Sequence, residues 1–271
     1  MATITKISAQ KRKGRYNIFL DEQYAFPVSE SVLIQFRLAK GLEIDAQLQA
    51  KITAAEAKAQ SYQLALNYLA HQLRSEMEVR RYLKQHDVTY PVRQQVIERL
   101  HQLKLVDDAN YAASYVRTMK RTSDKGPIVI QKKLQEKGIA PELILNALDL
   151  YSDEALLASG LKVAQKLAYR YRRLSFRQQQ QKIRLGLRQK GYPQDLVSQL
   201  LDRLDLQKDD ATEWQALVQQ GQKAWHKNAR YPDKQRRQKT KQQLYRKGFA
   251  LLQIDRFLAE QPVETEKAGN D

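Results

Sequence analysis

At 271 residues the chain is long for one compact core and suits two domains or a repeat array. Lysine and arginine number 47 against 30 acidic residues, a formal charge of +17 that points to a polyanionic partner: nucleic acid, an anionic membrane surface or an acidic protein face. The absence of cysteine excludes disulfides, thiolate catalysis and zinc–thiolate centres.

The start, Met1-Ala2-Thr3-Ile4-Thr5-Lys6, has no signal-type apolar run, and no stretch reaches the roughly 18 apolar residues of a membrane span. A cytoplasmic protein is expected. Ile4–Ala9, Tyr16–Leu20 and Tyr24–Val28 are short β-branched and aromatic runs, separated by Lys11-Arg12-Lys13-Gly14-Arg15 and by Asp21-Glu22. They predict a small β-meander packed on a helix near Ser31–Leu38, together filling residues 1–50.

From about Ala50 the periodicity is helical and a unit recurs: helix, turn, helix. Copies read Leu134 with Lys137-Gly138-Ile139, then Ile144, Ala147 and Leu148; Leu187 with Lys190-Gly191-Tyr192, then Val197, Leu200 and Leu201; Leu244 with Lys247-Gly248-Phe249, then Ile254, Phe257 and Leu258. A fourth, earlier copy has Leu83, His86-Asp87-Val88, Val96, Ile97 and Leu100, with Asp87 where the others carry glycine. Glycine there takes the left-handed conformation that ends a helix, and the lysine before it faces the negative end of the helix dipole.

Each copy is preceded by a further helix, and in three of them it opens on acidic residues: Asp107-Asp108, Ser152-Asp153 and Asp209-Asp210. The separation from Asp153 to Gly191 equals that from Asp210 to Gly248. Ser75 with Glu78 and Ser175 with Gln178 have capping-box spacing, and Gly126-Pro127 suits a first helical turn. The expected fold is therefore mainly α, tandem three-helix repeats in an elongated array behind a β-meander. Repeats are placed at 60–105, 107–151, 152–205 and 208–261, with a flexible tail at 262–271.

No catalytic motif accompanies these elements. There is no phosphate-binding loop or dinucleotide fingerprint, and His71, His86, His101 and His226 lack metal-ligand spacing. The acidic pairs Asp107-Asp108 and Asp209-Asp210 could hold Mg²⁺ in a nuclease, but recurrence at helix starts is better explained by capping. A non-enzyme without catalytic residues, metal or cofactor is expected.

Basic residues return at equivalent places in successive repeats. The residues expected to contact a phosphate backbone or an acidic groove are Arg117, Lys120, Arg121, Lys132 and Lys133; Arg170, Arg172, Arg173, Arg177, Lys182, Arg184 and Arg188; and Arg236, Arg237, Lys239 and Lys241. Helix-dipole relaxation accounts for one or two cations per helix end, not for so many. Tyr171, set among arginines, is the chosen base-stacking residue; Trp214 reads as core, while Trp225 fits either role.

Several stretches resemble the RecX family: Ala65-Leu66-Asn67-Tyr68-Leu69; Arg74-Ser75-Glu76-Met77-Glu78-Val79 with Leu83; Leu105-Val106-Asp107-Asp108-Ala109-Asn110-Tyr111-Ala112; and Lys125-Gly126-Pro127 with Leu134 and Lys137-Gly138-Ile139. Arg15–Leu20 and Tyr24-Ala25-Phe26 are similar to the N-terminal segment of longer members. His86-Asp87 and Thr240 depart from the pattern. The resemblance implies a monomeric helical-repeat protein that binds single- and double-stranded DNA and the RecA–DNA filament, restraining recombinase and co-protease activity in repair and the SOS response. Charge alone leaves open a DNA- or RNA-binding module that acts without RecA.

Overall fold

The computed structural model describes residues 2–262, so the tail expected at 262–271 lies outside it but for its first residue. Close packing divides the chain into two units: residues up to Tyr115 together with Leu134–Ala147, and Val116–Lys133 together with the chain from Leu148 onward.

The first unit opens with β1 (Ala2–Ala9), β2 (Arg15–Leu20) and β3 (Gln23–Ser29), joined as an antiparallel meander. Helix α1 (Glu30–Gln35) follows. A two-residue strand, β4 (Glu43–Ile44), then returns to β1 and completes the order β3-β2-β1-β4. Alternation brings Ile4, Ile18 and Val28 to one face, where they meet Val32, Leu38, Ile44 and Ile52.

Ile52 belongs to α2 (Ala46–Leu69), which also supplies Ala65 to a second core with Val79, Leu83, Val96, Ile97, Leu100 and Val106. The expected boundary between the meander and the first repeat thus falls inside one continuous helix. Because α2 buries different faces at its two ends, it shows no single apolar stripe. The buried Glu56 ties α2 to the sheet by accepting from Arg15 Nη1 at 2.8 Å and from the Ser29 amide at 2.6 Å.

Three-helix sets follow along the chain. They are α2 with α3 (Glu76–Gln85) and α4 (Tyr90–Gln102); α5 (Asp108–Thr122), α6 (Pro127–Glu136) and α7 (Pro141–Leu148); α8 (Asp153–Arg170), α9 (Phe176–Gln189) and α10 (Gln194–Leu204); and α11 (Asp210–Lys227), α12 (Asp233–Arg246) and α13 (Leu251–Ala259). In the second set, α5 and α6 each contribute to both units. Asp107 and Asp209 cap their helices as expected, accepting from the amides of Asn110 and Thr212, each at 2.9 Å.

All four second helices end alike. The amides of Val88, Ile139, Tyr192 and Phe249 donate to the carbonyls of Leu83, Leu134, Leu187 and Leu244 at 3.1 to 3.4 Å. Asp87 takes the left-handed conformation (φ 58°) that Gly138, Gly191 and Gly248 take elsewhere. The first copy therefore keeps the geometry despite its different residue.

The reason for glycine in the other three is a joint between repeats. Ser75, which begins α3, accepts from the Glu78 amide and donates to the Lys137 carbonyl at 2.7 Å. A Cβ on Gly138 would lie 2.7 Å from the Met77 Cβ. Ser175, which begins α9, likewise donates to the Lys247 carbonyl. At the middle joint the Gly126 amide takes the donor's part, bonding the Lys190 carbonyl at 2.7 Å. There a Cβ on Gly126 would stand 2.5 Å from the Gly191 carbonyl carbon. The turn of each later repeat is thus pressed against the second-helix start of the repeat before it. Asp87 has no preceding three-helix repeat against its turn, so its side chain stays exposed.

Candidate nucleic-acid interface

All the predicted contact residues fall in the second unit. Arg117, Lys120, Arg121, Lys132 and Lys133 are exposed on α5 and α6, and Lys182, Arg184 and Arg188 on α9. Arg184 and Arg188 stand one turn apart on one face. Arg170, Arg172, Arg173 and Arg177 are exposed where α8 gives way to α9.

That junction holds the most developed surface. The Arg172 guanidinium lies 3.9 Å from the centre of the Tyr169 ring and donates to the Tyr169 carbonyl at 2.8 Å. Tyr169 is 69% exposed. Beside it, Arg172, Arg173, Trp214, Gln215, Gln219 and Gln222 line an open cleft of about 620 Å³. Trp214 packs half-buried on the core of Leu217, Trp225 and Phe257, with the Arg256 guanidinium 4.4 Å from its ring. An open aromatic face between guanidinium groups can stack an unpaired base while the arginines neutralise its phosphates.

Tyr171, chosen from sequence as the stacking residue, instead packs half-buried on the core of Val163, Ala164, Leu167 and Ile183. The signal was present in the spacing. Val163 and Leu167 lie on one stripe of α8 that Tyr171, its C-cap, continues, and Tyr169 lies off it.

The fourth repeat requires a larger correction. Arg236 is only 5% exposed; its Nε donates to the Trp225 carbonyl at 3.2 Å and its guanidinium lies 4.0 Å from the Trp225 ring. This bond repeats one made by Gln179, whose Nε2 donates to the Ala168 carbonyl at 2.9 Å, and both pairs span eleven residues. Arg236 therefore holds α12 to α11, and Trp225 is core. Arg237 is committed to Asp233 at 2.7 Å and to the Leu258 carbonyl at 2.7 Å, while Lys241 pairs with Asp255 at 2.5 Å. Of this group only Lys239 is exposed, its ammonium 4.4 Å from the Tyr231 ring. Thr240, also out of pattern, is buried and accepts from Asn228 Nδ2 at 3.1 Å.

A second, larger cleft of about 1130 Å³ in the first unit lies between the β1–β2 turn, with Arg12 and Lys13, and the turn at His86-Asp87. Lys11-Arg12-Lys13 equally suit a solvated turn between strands, so nothing local in the sequence marks this cleft.

Sequence models of regulatory protein RecX match across this architecture: the N-terminal domain at residues 2–45, the first three-helix domain at 62–100 and the second at 107–148. The third three-helix domain matches twice, at 153–201 and 211–258. The chain is 52% identical over 260 residues to a regulatory protein RecX of Levilactobacillus brevis, covering 96% of this chain and 98% of that one. The chain belongs to the RecX family.

A RecX of Lactobacillus gasseri is 39% identical over 267 residues, covering 98% of each chain. A crystal structure of regulatory protein RecX superposes with a TM-score of 0.69 at 44% identity, covering 74% of this chain and all of that one. Another, of RecX from Lactobacillus salivarius, gives 0.55 at 42% identity, covering 56% and 99%. The double match to the third RecX domain has a structural counterpart. Helices α9 and α12 both run 14 residues, one turn longer than the 10 of α3 and α6. The extra turn carries the positions of Gln179 and Arg236 inward, which is why this RecX chain buries an arginine there.

Proposed function

We propose that this protein binds the RecA–DNA filament and restrains its recombinase and co-protease activities, acting by occupancy rather than catalysis. Near full-length similarity to proteins named as RecX regulators carries this reading. The acidic residues a nuclease would need have other work: Asp107 caps α5, and Asp108 accepts from the Glu76 amide at 2.8 Å. In this reading the protein is a cytoplasmic monomer that also holds single- and double-stranded DNA, and the exposed cations from Arg117 to Arg188 face the polyanion. No described helix is long and apolar enough to cross a membrane.

The test is RecA ATPase on single-stranded DNA with and without this protein at low salt. Inhibition that rises with protein concentration is expected. A second reading, a nucleic-acid-binding module that acts without RecA, draws on the exposed Tyr169–Arg172 pair and the neighbouring cleft lined by Arg172, Arg173 and Trp214. Oligonucleotide binding with no change in ATPase would favour that reading and overturn the first.

A further inference from the structure

The three joints differ in one respect that the nucleic-acid reading leaves unexplained. At the first, the lysine before the turn glycine has a carboxylate partner on the preceding repeat: Lys137 Nζ lies 2.5 Å from Glu78, the third residue of α3. At the second, Lys190 pairs with Asp124, just ahead of α6. At the third, the residue in the register of Glu78 is Gln178, the third residue of α9. Lys247 makes no ion pair or side-chain hydrogen bond among the described residues, though its carbonyl accepts from Ser175 as the register demands.

The buried carboxylate at this joint, Glu213, is taken by the Phe176 amide at 2.7 Å, and two further lysines act on Lys247. Lys223 and Lys227, one turn apart and exposed on α11, stand on the helix that Arg236 ties to α12, the helix Lys247 ends, and their charges act on Lys247. The Arg177 side chain also reaches this turn, since a Cβ on Gly248 would stand 3.3 Å from the Arg177 Cβ. Burial lowers the pKa of Lys247, and the charges of Lys223 and Lys227 lower it further. A half-buried ammonium among like charges, where its two counterparts each have a counter-ion, is destabilising unless an anion comes from outside.

We propose that Lys247, Lys223 and Lys227 form a site for a backbone phosphate of bound nucleic acid, which takes the place that Glu78 and Asp124 hold at the other joints. The inference rests on the nucleic-acid reading and deepens it by naming a fixed phosphate position. A phosphate suits the site because three ammonium groups from two elements offer separate donors to its oxygens.

Gln178→Glu supplies the missing carboxylate in the register of Glu78, and a triple variant with Lys223, Lys227 and Lys247 changed to Gln removes the charges. Binding of a labelled oligothymidylate is measured by anisotropy over a range of salt. Gln178→Glu should weaken binding about fivefold and lower the slope of log affinity against log salt by about 0.7, one phosphate's share on a single strand. The triple variant removes the same phosphate contact and should likewise lower the slope by about 0.7. Unchanged slopes in both variants, with the unaltered protein binding normally, overturn the phosphate site and leave the nucleic-acid reading standing. No binding by the unaltered protein overturns both.

Discussion

The Ser75 hydroxyl donates to the carbonyl of Lys137, 62 residues further along the chain, while accepting from the amide of Glu78. One buried oxygen thus caps a helix and satisfies the end of another. Ser175 and Lys247 repeat the arrangement. Lost caps and unsatisfied buried carbonyls each cost about 1–2 kcal/mol, so the joints are where adjacent repeats become interdependent.

Transplanting the residue of the first turn into the second should show what glycine is for. Gly138→Asp forces a Cβ against Met77 and is expected to lose about 2–3 kcal/mol in urea unfolding. Asp87→Gly, in an exposed turn of the same conformation, should change stability by less than about 1 kcal/mol. Equal losses would show that the joint does not constrain the turn.

Arg236 should behave as a structural residue. Arg236→Ala empties a buried position and leaves the Trp225 carbonyl without that donor; a loss of about 2–4 kcal/mol is expected by thermal melting. Arg236→Gln should recover a large part, because Gln179 makes the same bond one repeat earlier. Wild-type stability in Arg236→Ala would return this residue to the binding surface.

Tyr169 and Tyr171 should separate function from fold. Tyr169→Ala is expected to weaken single-stranded DNA binding by about 1 kcal/mol with an unchanged melting temperature. Tyr171→Ala should lower the melting temperature, since its ring packs on the core of α8 and α9. Replacing Arg170, Arg172 and Arg173 together by Ala should weaken binding and flatten its salt dependence.

The first joint should be acid-sensitive. Burial raises the pKa of Glu78, but hydrogen bonds from Lys137 and the Ser75 amide outweigh it and leave the carboxyl below 4.5. A carboxyl depressed in the folded state adds stability that is full above the unfolded pKa and is lost as pH falls through the folded value. Asp108, held above 3.8 mainly by burial, works in the opposite sense. Hydrogen exchange in α3 should therefore accelerate below about pH 4.5, and Glu78→Gln should remove much of that dependence. An unaltered pH profile in Glu78→Gln would place the acid sensitivity elsewhere.

The repeats, their caps and the acidic helix starts were legible because each depends on neighbours within about a turn, where residue type acts directly on backbone conformation. Leu83, Leu134, Leu187 and Leu244 mark equivalent turns by spacing alone. The candidate surface was only partly legible. Composition shows that Arg172 and Arg236 carry the same charge, and nothing local says which one meets solvent. That was decided by packing across repeats: an extra turn in α12 carries Arg236 under Trp225, while Arg172 lies beyond the end of α8 on an open face. Likewise, α2 hid a domain boundary because one helix serves two cores. Local rules set where helices begin and end, whereas the fate of a long cationic side chain depends on partners tens of residues away, which only the folded chain brings together.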